Sequence, residues 1–212
     1  EGRAVAFVSA GNTGALLTGA TIIVGRIKGV KRPALGTMLP SEKNRVLMMD
    51  SGANVDAKAE YLVQYAQMGS VYLENVLGKE NPTVGLINIG TEREKGNAMV
   101  KEAYGLLEEA KGINFAGNVE ARDITLGNVD IVVCDAFVGN VILKVMEGLG
   151  NTVLRLLKKE LMSGMRTKIG ALFAKPAFVN IKKNFFEYDD IGGAPFLGLK
   201  GLVVKAHGSS DE

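Results

Sequence analysis

Apolar and polar residues follow one another along the chain in a rhythm that predicts strands and helices in turn. Short continuous apolar runs are typical of buried strands, while apolar residues spaced three and four apart indicate helices with one buried face. The predicted strands lie at residues 3–8, 46–49, 83–89, 113–117, 131–135 and 202–206. The predicted helices cover residues 13–26, 61–72, 97–110 and a segment containing 144–147.

This alternation predicts parallel βαβ units, in which helices cover both faces of one sheet. We therefore expect residues 1–212 to form a single α/β domain with a mostly parallel sheet. Asp56 is expected to cap the helix that contains residues 61–72. The prolines within residues 31–40 predict a loop. Residues 191–200 are too rich in glycine for an internal strand or helix.

Each predicted strand ends in glycines and small polar residues, as in Ser9–Gly14, the turn between the first strand and the first helix. Glycine permits a positive φ, and the first amides of a helix point outward unpaired, so such a corner binds anions, phosphate above all. Because the carboxyl ends of parallel strands share one edge, we expect the turns to converge there. Alternatively, single turns are ordinary connections with an Asn or Thr cap.

Composition is that of a globular protein, with 47% hydrophobic and 23% charged residues. A net charge of +2 gives no indication of a nucleic-acid partner. The single cysteine, Cys134, is predicted to lie in the core, and without a possible disulfide partner it fits a cytoplasmic protein. No apolar run reaches the roughly 18 residues that span a bilayer. Because the chain opens almost directly in a strand without Met, we expect an N-terminal portion to be missing.

Several signatures of chemistry are absent from the sequence. It has no dinucleotide fingerprint, Walker loop, zinc motif or hydrolase elbow, so we expect no cofactor. Four aspartates could meet at one sheet edge but lack the spacing of metal ligands, and we predict no metal site. His207, the only histidine, follows a predicted strand, where it is either structural or catalytic.

Residues 151–187 carry eight basic and two acidic side chains, with apolar residues at helical spacing. We expect basic amphipathic helices with breaks near Gly164 and at Pro176. One interpretation is a surface attracted to anionic lipid or to an acidic protein. The other is a dimerisation arm with a solvated basic face.

Six segments together resemble the bacterial phosphate acyltransferase family of phospholipid synthesis. The match runs in order through nearly the whole chain, at residues 9–15, 50–56, 88–96, 117–123, 139–144 and 205–210. The resemblance implies transfer of a fatty acyl chain from acyl carrier protein to inorganic phosphate. It also implies a three-layer sandwich similar to isocitrate and isopropylmalate dehydrogenases and to phosphotransacetylases. Members are homodimers with a protruding tip implicated in peripheral membrane contact, which residues 151–187 would form.

The chain departs from the family at both ends. Members begin with a strand and an Asp-Ala-Met-Gly-Gly-Asp loop, which this sequence lacks. The helix expected after Ser210 is cut short.

The implied chemistry needs placement of phosphate and stabilisation of an oxyanion more than a side-chain nucleophile. We assign phosphate to the turns at Ser9–Gly14 and Asn88–Lys95, with Lys95 as the positive charge. Asn140, Lys144 and His207 are candidates for the acyl carbonyl and oxyanion. The expected phosphate-binding and substrate-binding residues are Ser9, Gly11, Asn12, Thr13, Gly14, Asp50, Asn54, Asn88, Gly90, Thr91, Glu92, Gly139, Gly208 and Ser209.

Three other functions stay open. The first is a phosphotransacetylase that acts on short acyl-coenzyme A. The second is a non-catalytic scaffold recruited to membranes by residues 151–187. The third, a hydride-transfer enzyme, rests on the expected fold alone.

Overall fold

A computed structural model of the chain describes residues 4–181 and 193–206. Its strands are β1 (Ala6–Ser9), β2 (Ala34–Leu39), β3 (Val46–Met49), β4 (Thr83–Asn88), β5 (Asn114–Glu120), β6 (Ile131–Val133), β7 (Ala194–Leu197) and β8 (Leu202–Lys205). Its α-helices are α1 (Thr13–Ile23), α2 (Ala59–Leu77), α3 (Ala98–Glu109), α4 (Ala136–Leu161) and α5 (Met165–Ile181), with a short 3₁₀ helix at Ala121–Leu126. The chain divides into two compact units, residues 1–140 with 192–212, and residues 141–191.

The first unit contains an eight-stranded sheet in the order β1-β8-β7-β2-β3-β6-β4-β5. Strands β3, β6, β4 and β5 are mutually parallel, as their alternation with helices predicts. Antiparallel pairs join β3 to β2, β2 to β7 and β7 to β8, while β1 is parallel to β8. Parallel pairs thus form the β3–β5 half and the β1–β8 pair, as predicted, and the antiparallel pairs between them make the whole sheet mixed.

Helices cover both faces of the sheet, as expected. On one face, Leu17 and Ala20 of α1 pack with Leu35 of β2. Helix α2 lies against β3 and β6 and contacts α3. It approaches so closely that a Cβ at Gly69 would be in contact with Leu47 of β3. Because Leu47 pairs with Met38, which is three positions beyond Leu35 in β2, the two packing surfaces are on opposite faces.

Two strands occur where the sequence predicted none. Residues 34–39 form β2, and the prolines that suggested a loop flank it as Pro33 and Pro40, where a missing N–H costs the ladder nothing. Residues 194–197 form β7, a short strand flanked by Gly193 and Gly198, both with positive φ. In both segments the proline or glycine residues lie just outside the strand and do not prevent it from forming.

Two local predictions about helices are wrong, and one is confirmed. Helix α2 begins at Ala59, with Lys58 at the cap position and no side-chain cap bond, so Asp56 lies too far upstream to cap it. Pro176 lies inside α5, and nothing in the structure explains how the helix accommodates it. The break expected near Gly164 is present, because α4 ends before it and α5 begins after it.

The second unit contains the later part of α4 and all of α5. None of the residues of α5 is buried, and large apolar side chains are exposed on both helices. These exposed side chains include Val145, Leu149, Val153, Leu156, Met165, Ile169, Leu172 and Phe173. No helix within the described residues is long and apolar enough to cross a membrane.

An aspartate at the amino end of β6 ties that strand to its neighbour. Asp130 Oδ2 accepts hydrogen bonds of 2.9 Å from both the backbone N–H and the hydroxyl of Thr83, and Lys79 Nζ lies 3.0 Å from Asp130 Oδ1. Burial alone would raise the pKa of Asp130, but the bonds from Thr83 and Lys79 together lower it below its ordinary value. The ionised carboxylate therefore stabilises the folded sheet.

We expect Asp130→Asn to lower the free energy of unfolding at pH 7 by about 1–3 kcal/mol, since a charged acceptor is lost. Because the pKa of Asp130 is lower in the folded protein, its ionised carboxylate stabilises the fold at pH values above the unfolded pKa of about 3.9. This stabilisation is lost as the pH falls through the folded pKa. In urea unfolding the gap to the wild type should close between about pH 5 and pH 2. Glu94→Gln, at an exposed residue, is the control, and a gap independent of pH would contradict the expectation.

Candidate active site

The parallel half of the sheet brings several predicted site residues to one edge. Strands β3, β6, β4 and β5 end there. Residues 50–54, 134–140 and 89–96 follow β3, β6 and β4, while Asn88 and residues 118–120 are the last residues of β4 and β5. Neighbouring strands lie about 4.8 Å apart, so the turns after β3 and β4 are separated by about 10 Å. We call this the carboxyl edge.

The turn at Ser9–Gly14 lies elsewhere. Strand β1 runs opposite to β3 and is six positions from β4, so its end is at the other edge of the sheet, some 29 Å away at ordinary strand spacing. The structure therefore places the two turns at opposite edges of the sheet and does not bring them together. His207, Gly208 and Ser209 lie outside the described residues.

The turn at Ser9–Gly14 is a capped helix start. Asn12 is the N-cap of α1, and its Oδ1 accepts a 3.0 Å hydrogen bond from the N–H of Ala15. The N–H of Gly11 donates to Ser9 Oγ at 3.1 Å. Lys205 Nζ lies 3.2 Å from the carbonyl oxygen of Ala10. The alternative prediction, an ordinary turn with an Asn cap, describes these contacts.

At the carboxyl edge, Asp50 organises the turn that follows β3. Its carboxylate is fully buried and accepts from the amides of Leu35, Gly52 and Ala53 through Oδ1, and from the amide and side-chain nitrogen of Asn54 through Oδ2, at 2.7–3.2 Å. Desolvation by burial raises the pKa of Asp50, and these hydrogen bonds oppose the shift. The amides of this turn are directed at its own carboxylate and are not available to a phosphate.

Helix α4 begins directly against this turn. The N–H of Ala136 donates to the carbonyl oxygen of Asn54 at 3.1 Å. Gly139 packs so closely that any Cβ would overlap the carbonyl oxygen of Asp50. The exposed amide of Asn140 consequently lies beside Gly52, whose Cβ position would be 4.0 Å from Asn140 Oδ1. The structure thus brings Asp50, Asn54, Gly139 and Asn140 together.

Cys134 lies beneath this contact, buried as predicted. Burial raises the pKa of its thiol well above the ordinary value, and the charges of Asp135 and Asp50 add to the shift. A thiol held in its protonated form is a poor nucleophile. Cys134 is therefore part of the packing under the site.

The turn after β4 is closed by its own hydrogen bonds. Asn88 accepts from the N–H of Ile89 at 2.8 Å and donates to the carbonyl oxygen of Lys95 at 3.1 Å. Lys95 Nζ lies 4.0 Å from the carboxylate of Glu92, and both side chains are about half exposed. Gly90 is buried, and Thr91 is exposed at the outside of the turn. Asn88 to Lys95 is thus one rigid turn with an exposed lysine.

Lys144 belongs to the second unit, where its Nζ lies 2.8 Å from Glu147.

Sequence reasoning missed Asn118, which is 7% exposed and donates from Nδ2 to the carbonyl oxygen of Glu92 at 2.8 Å. Asn118 Oδ1 is buried with no hydrogen-bond partner within the described residues. Asn118 could have been found from the sequence, because it lies in residues 117–123, one of the six segments that carry the family resemblance. No cluster of three or more potential metal ligands occurs in the described part of the chain.

Comparison with known proteins supplies the family. A family model described as "Fatty acid synthesis protein" matches residues 1–212. The chain belongs to this family. Proteins named phosphate acyltransferase from Clostridium perfringens and Clostridium botulinum are 54% and 55% identical to it over 211 residues. Each match includes 100% of this chain but 62% of the relative, so the chain spans less than two thirds of their length.

Solved structures show the same fold at low sequence identity. A phosphotransacetylase from Streptococcus pyogenes aligns with a TM-score of 0.61 and 16% identity, over 99% of this chain and 59% of that one. The EutD phosphotransacetylase from Staphylococcus aureus gives 0.60 and 16% over the same shares. The 4-hydroxythreonine-4-phosphate dehydrogenase from Klebsiella pneumoniae gives 0.52 and 15%, over 95% and 55%. The chain therefore shares a mixed α/β fold with phosphotransacetylases and with this dehydrogenase.

The close approach of Gly139 to Asp50 predicts a sensitive position. Gly139→Ala should lower the free energy of unfolding by about 1–3 kcal/mol, because α4 must move away from the Asp50 turn. Gly148→Ala is the matched control in the same helix, where an added Cβ meets nothing within 4 Å. It should be neutral or stabilising by up to about 1 kcal/mol. Equal stability of the two variants in urea unfolding would show that the contact is not tight.

The Asn12 cap makes a second prediction. Asn12→Ala should destabilise the protein by about 1 kcal/mol, since the N–H of Ala15 loses its acceptor, and Asn12→Ser should retain most of the stability. Thermal unfolding monitored by circular dichroism measures both. An alanine variant as stable as the wild type would mean that the cap contributes nothing to the fold.

Proposed function

We propose that this chain carries the phosphate acyltransferase activity of its family, transferring a long-chain fatty acyl group from acyl carrier protein to inorganic phosphate. The observation that carries the proposal is identity of 54–55% over the whole chain to proteins named phosphate acyltransferase. The carboxyl edge supports it, with its polar side chains and buried, protonated Cys134. The product would be acyl phosphate for phospholipid synthesis.

The reaction is direct substitution at the thioester. A phosphate oxygen attacks the carbonyl carbon, the carbonyl oxygen becomes an oxyanion, and the C–S bond then breaks as the pantetheine thiolate leaves and takes a proton from solvent. Phosphate is partly a dianion near neutral pH, and a thiol of pKa about 8.5 is an acceptable leaving group. Placement of the reactants can lower the activation free energy by about 7–11 kcal/mol, and one hydrogen-bond donor to the oxyanion can lower it by about 2.7–4 kcal/mol.

In this proposal phosphate binds at the turn from Asn88 to Lys95, with Lys95 supplying positive charge. Asn140 donates its exposed amide to the acyl oxyanion from the adjacent turn. Lys144 and His207 are further candidates for that role from the sequence resemblance. Ser9–Gly14 is retained as a separate anion-binding turn.

The proposed oligomeric state and membrane contact come from the same family resemblance. We propose a cytoplasmic homodimer that contacts anionic membrane surfaces through residues 151–187. The exposed apolar side chains of α4 and α5 support an interacting surface in this segment. A phosphotransacetylase acting on short acyl-coenzyme A is the second candidate, and the fold shared with solved phosphotransacetylases favours it.

Trapping of acyl phosphate by hydroxylamine tests the reaction. We expect phosphate-dependent formation of hydroxamate when the donor is acyl carrier protein loaded with a long-chain acyl group. Acetyl-coenzyme A as donor should give much less hydroxamate. The reverse preference would favour the phosphotransacetylase. No product from either donor, with the protein folded and binding liposomes, would favour a non-catalytic scaffold.

Lys95→Ala should raise the KM for phosphate at least about tenfold, equivalent to about 1.4 kcal/mol of lost transition-state stabilisation, with unchanged unfolding. The control is Lys101→Ala, which removes an exposed lysine of α3. Similar phosphate kinetics in the two variants would remove Lys95 from the site.

A further inference from the structure

A carboxylate lies beside the lysine of the turn from Asn88 to Lys95. A Cβ added to Gly90 would be 2.7 Å from Glu92 Oε2 and 3.2 Å from Lys95 Cγ, so both side chains fold over this glycine. Lys95 Nζ lies 4.0 Å from Glu92 Oε1, and both side chains are about half exposed. A ligand that binds Lys95 beside Gly90 therefore also meets the carboxylate of Glu92.

The backbone of Glu92 is fixed from two sides. Its carbonyl oxygen accepts a 2.8 Å hydrogen bond from Asn118 Nδ2 of β5 and a 3.2 Å hydrogen bond from the N–H of Lys95. Asn118 is itself buried in the sheet. The carboxylate of Glu92 is therefore attached to a fixed point of the turn, within reach of Gly90 and Lys95.

The nearby arginine of this turn is engaged elsewhere. The guanidinium of Arg93 lies 2.7 and 3.0 Å from the two carboxylate oxygens of Glu108, and 5.2 Å from the centre of the Tyr104 ring. Arg93 is thus directed at α3, where its charge is already paired. At Gly90 the charge of Lys95 is balanced by that of Glu92.

A balanced pair of this kind suits a ligand that both accepts and donates hydrogen bonds. Inorganic phosphate near neutral pH has ionised oxygens, which accept from a lysine, and at least one P–OH group, which can donate to a carboxylate. Sulfate has the same tetrahedral shape, but at this pH it carries no proton. It would place an ionised oxygen against Glu92, and like charges that face each other disfavour binding.

We propose that Glu92 selects protonated phosphate at this turn by accepting a hydrogen bond from its P–OH group. The inference rests on the proposed function for the place of phosphate, and it adds which tetrahedral oxyanion the turn admits. Lys95 supplies the attraction for any such anion, and Glu92 supplies the discrimination between them.

Calorimetric titration with two anions tests the selection without reference to turnover. Inorganic phosphate and sulfate are each added, at pH 7 and one ionic strength, to the wild type, Glu92→Gln and Glu94→Gln. Glutamine keeps the length of the Glu92 side chain, removes its charge and adds an N–H group that can donate to sulfate. Glu94→Gln is the matched control, because it removes the same charge from an exposed residue of the same turn.

We expect the wild type to bind phosphate at least about tenfold more tightly than sulfate, since sulfate leaves the carboxylate without a donor. In Glu92→Gln the ratio of the two affinities should fall below about threefold, mainly through tighter binding of sulfate. Glu94→Gln should keep the wild-type ratio. Because each variant is judged by this ratio, a general gain in anion affinity from the lost negative charge cancels.

The proposal is overturned if the wild type binds sulfate as tightly as phosphate, or if Glu92→Gln keeps the wild-type ratio. An equal fall of the ratio in Glu94→Gln would also overturn it, because net charge and not the placement of Glu92 would then be responsible. A wild type that binds neither anion would remove the anion site itself. Failure of the proposed function is seen separately, as a wild type that discriminates between the anions but yields no acyl hydroxamate.

Discussion

The buried carboxylate of Asp50 is the interaction on which the carboxyl edge depends. A carboxylate removed from water is costly unless hydrogen bonds replace its hydration. Here the turn after β3 supplies the donors itself, and Leu35 adds one from the neighbouring strand. Folding that turn around Asp50 in turn fixes Asn54 and, through it, the start of α4. The position of Asn140 therefore follows from the solvation of one buried charge.

The turn after β4 achieves the same rigidity without a buried charge. Asn88 joins its two ends, and Asn118 secures Glu92 from the adjacent strand. Because these bonds form on folding, the turn does not have to be ordered again when a ligand binds, and the conformational entropy is already lost. A reaction that depends on placement of two substrates benefits from such preorganisation.

The parallel half of the sheet could be predicted because its strands are continuous apolar runs with helices between them. Strands β2 and β7 could not, since each is bounded by proline or glycine and the two pair with each other across a large separation in sequence. The direction of β1 depends on those two strands, which is why Ser9–Gly14 was placed at the wrong edge. Asp50 and Asn88 are predicted site residues, but the hydrogen bonds around them depend on the folded turns and could not be predicted from the sequence.

The antiparallel pairing of β2 with β7 has a consequence for how the protein is made. Ala34 pairs with Leu197, so the two strands are far apart in the sequence. During synthesis β2 can pair with β3 once residues 34–49 have emerged, but the other edge of β2 stays open until residues 194–197 have also left the ribosome. Loop closure over such a separation is slow, and an open strand edge invites pairing with other chains. Until β7 pairs with β2, this strand edge is exposed in the nascent chain and is a potential binding site for chaperones.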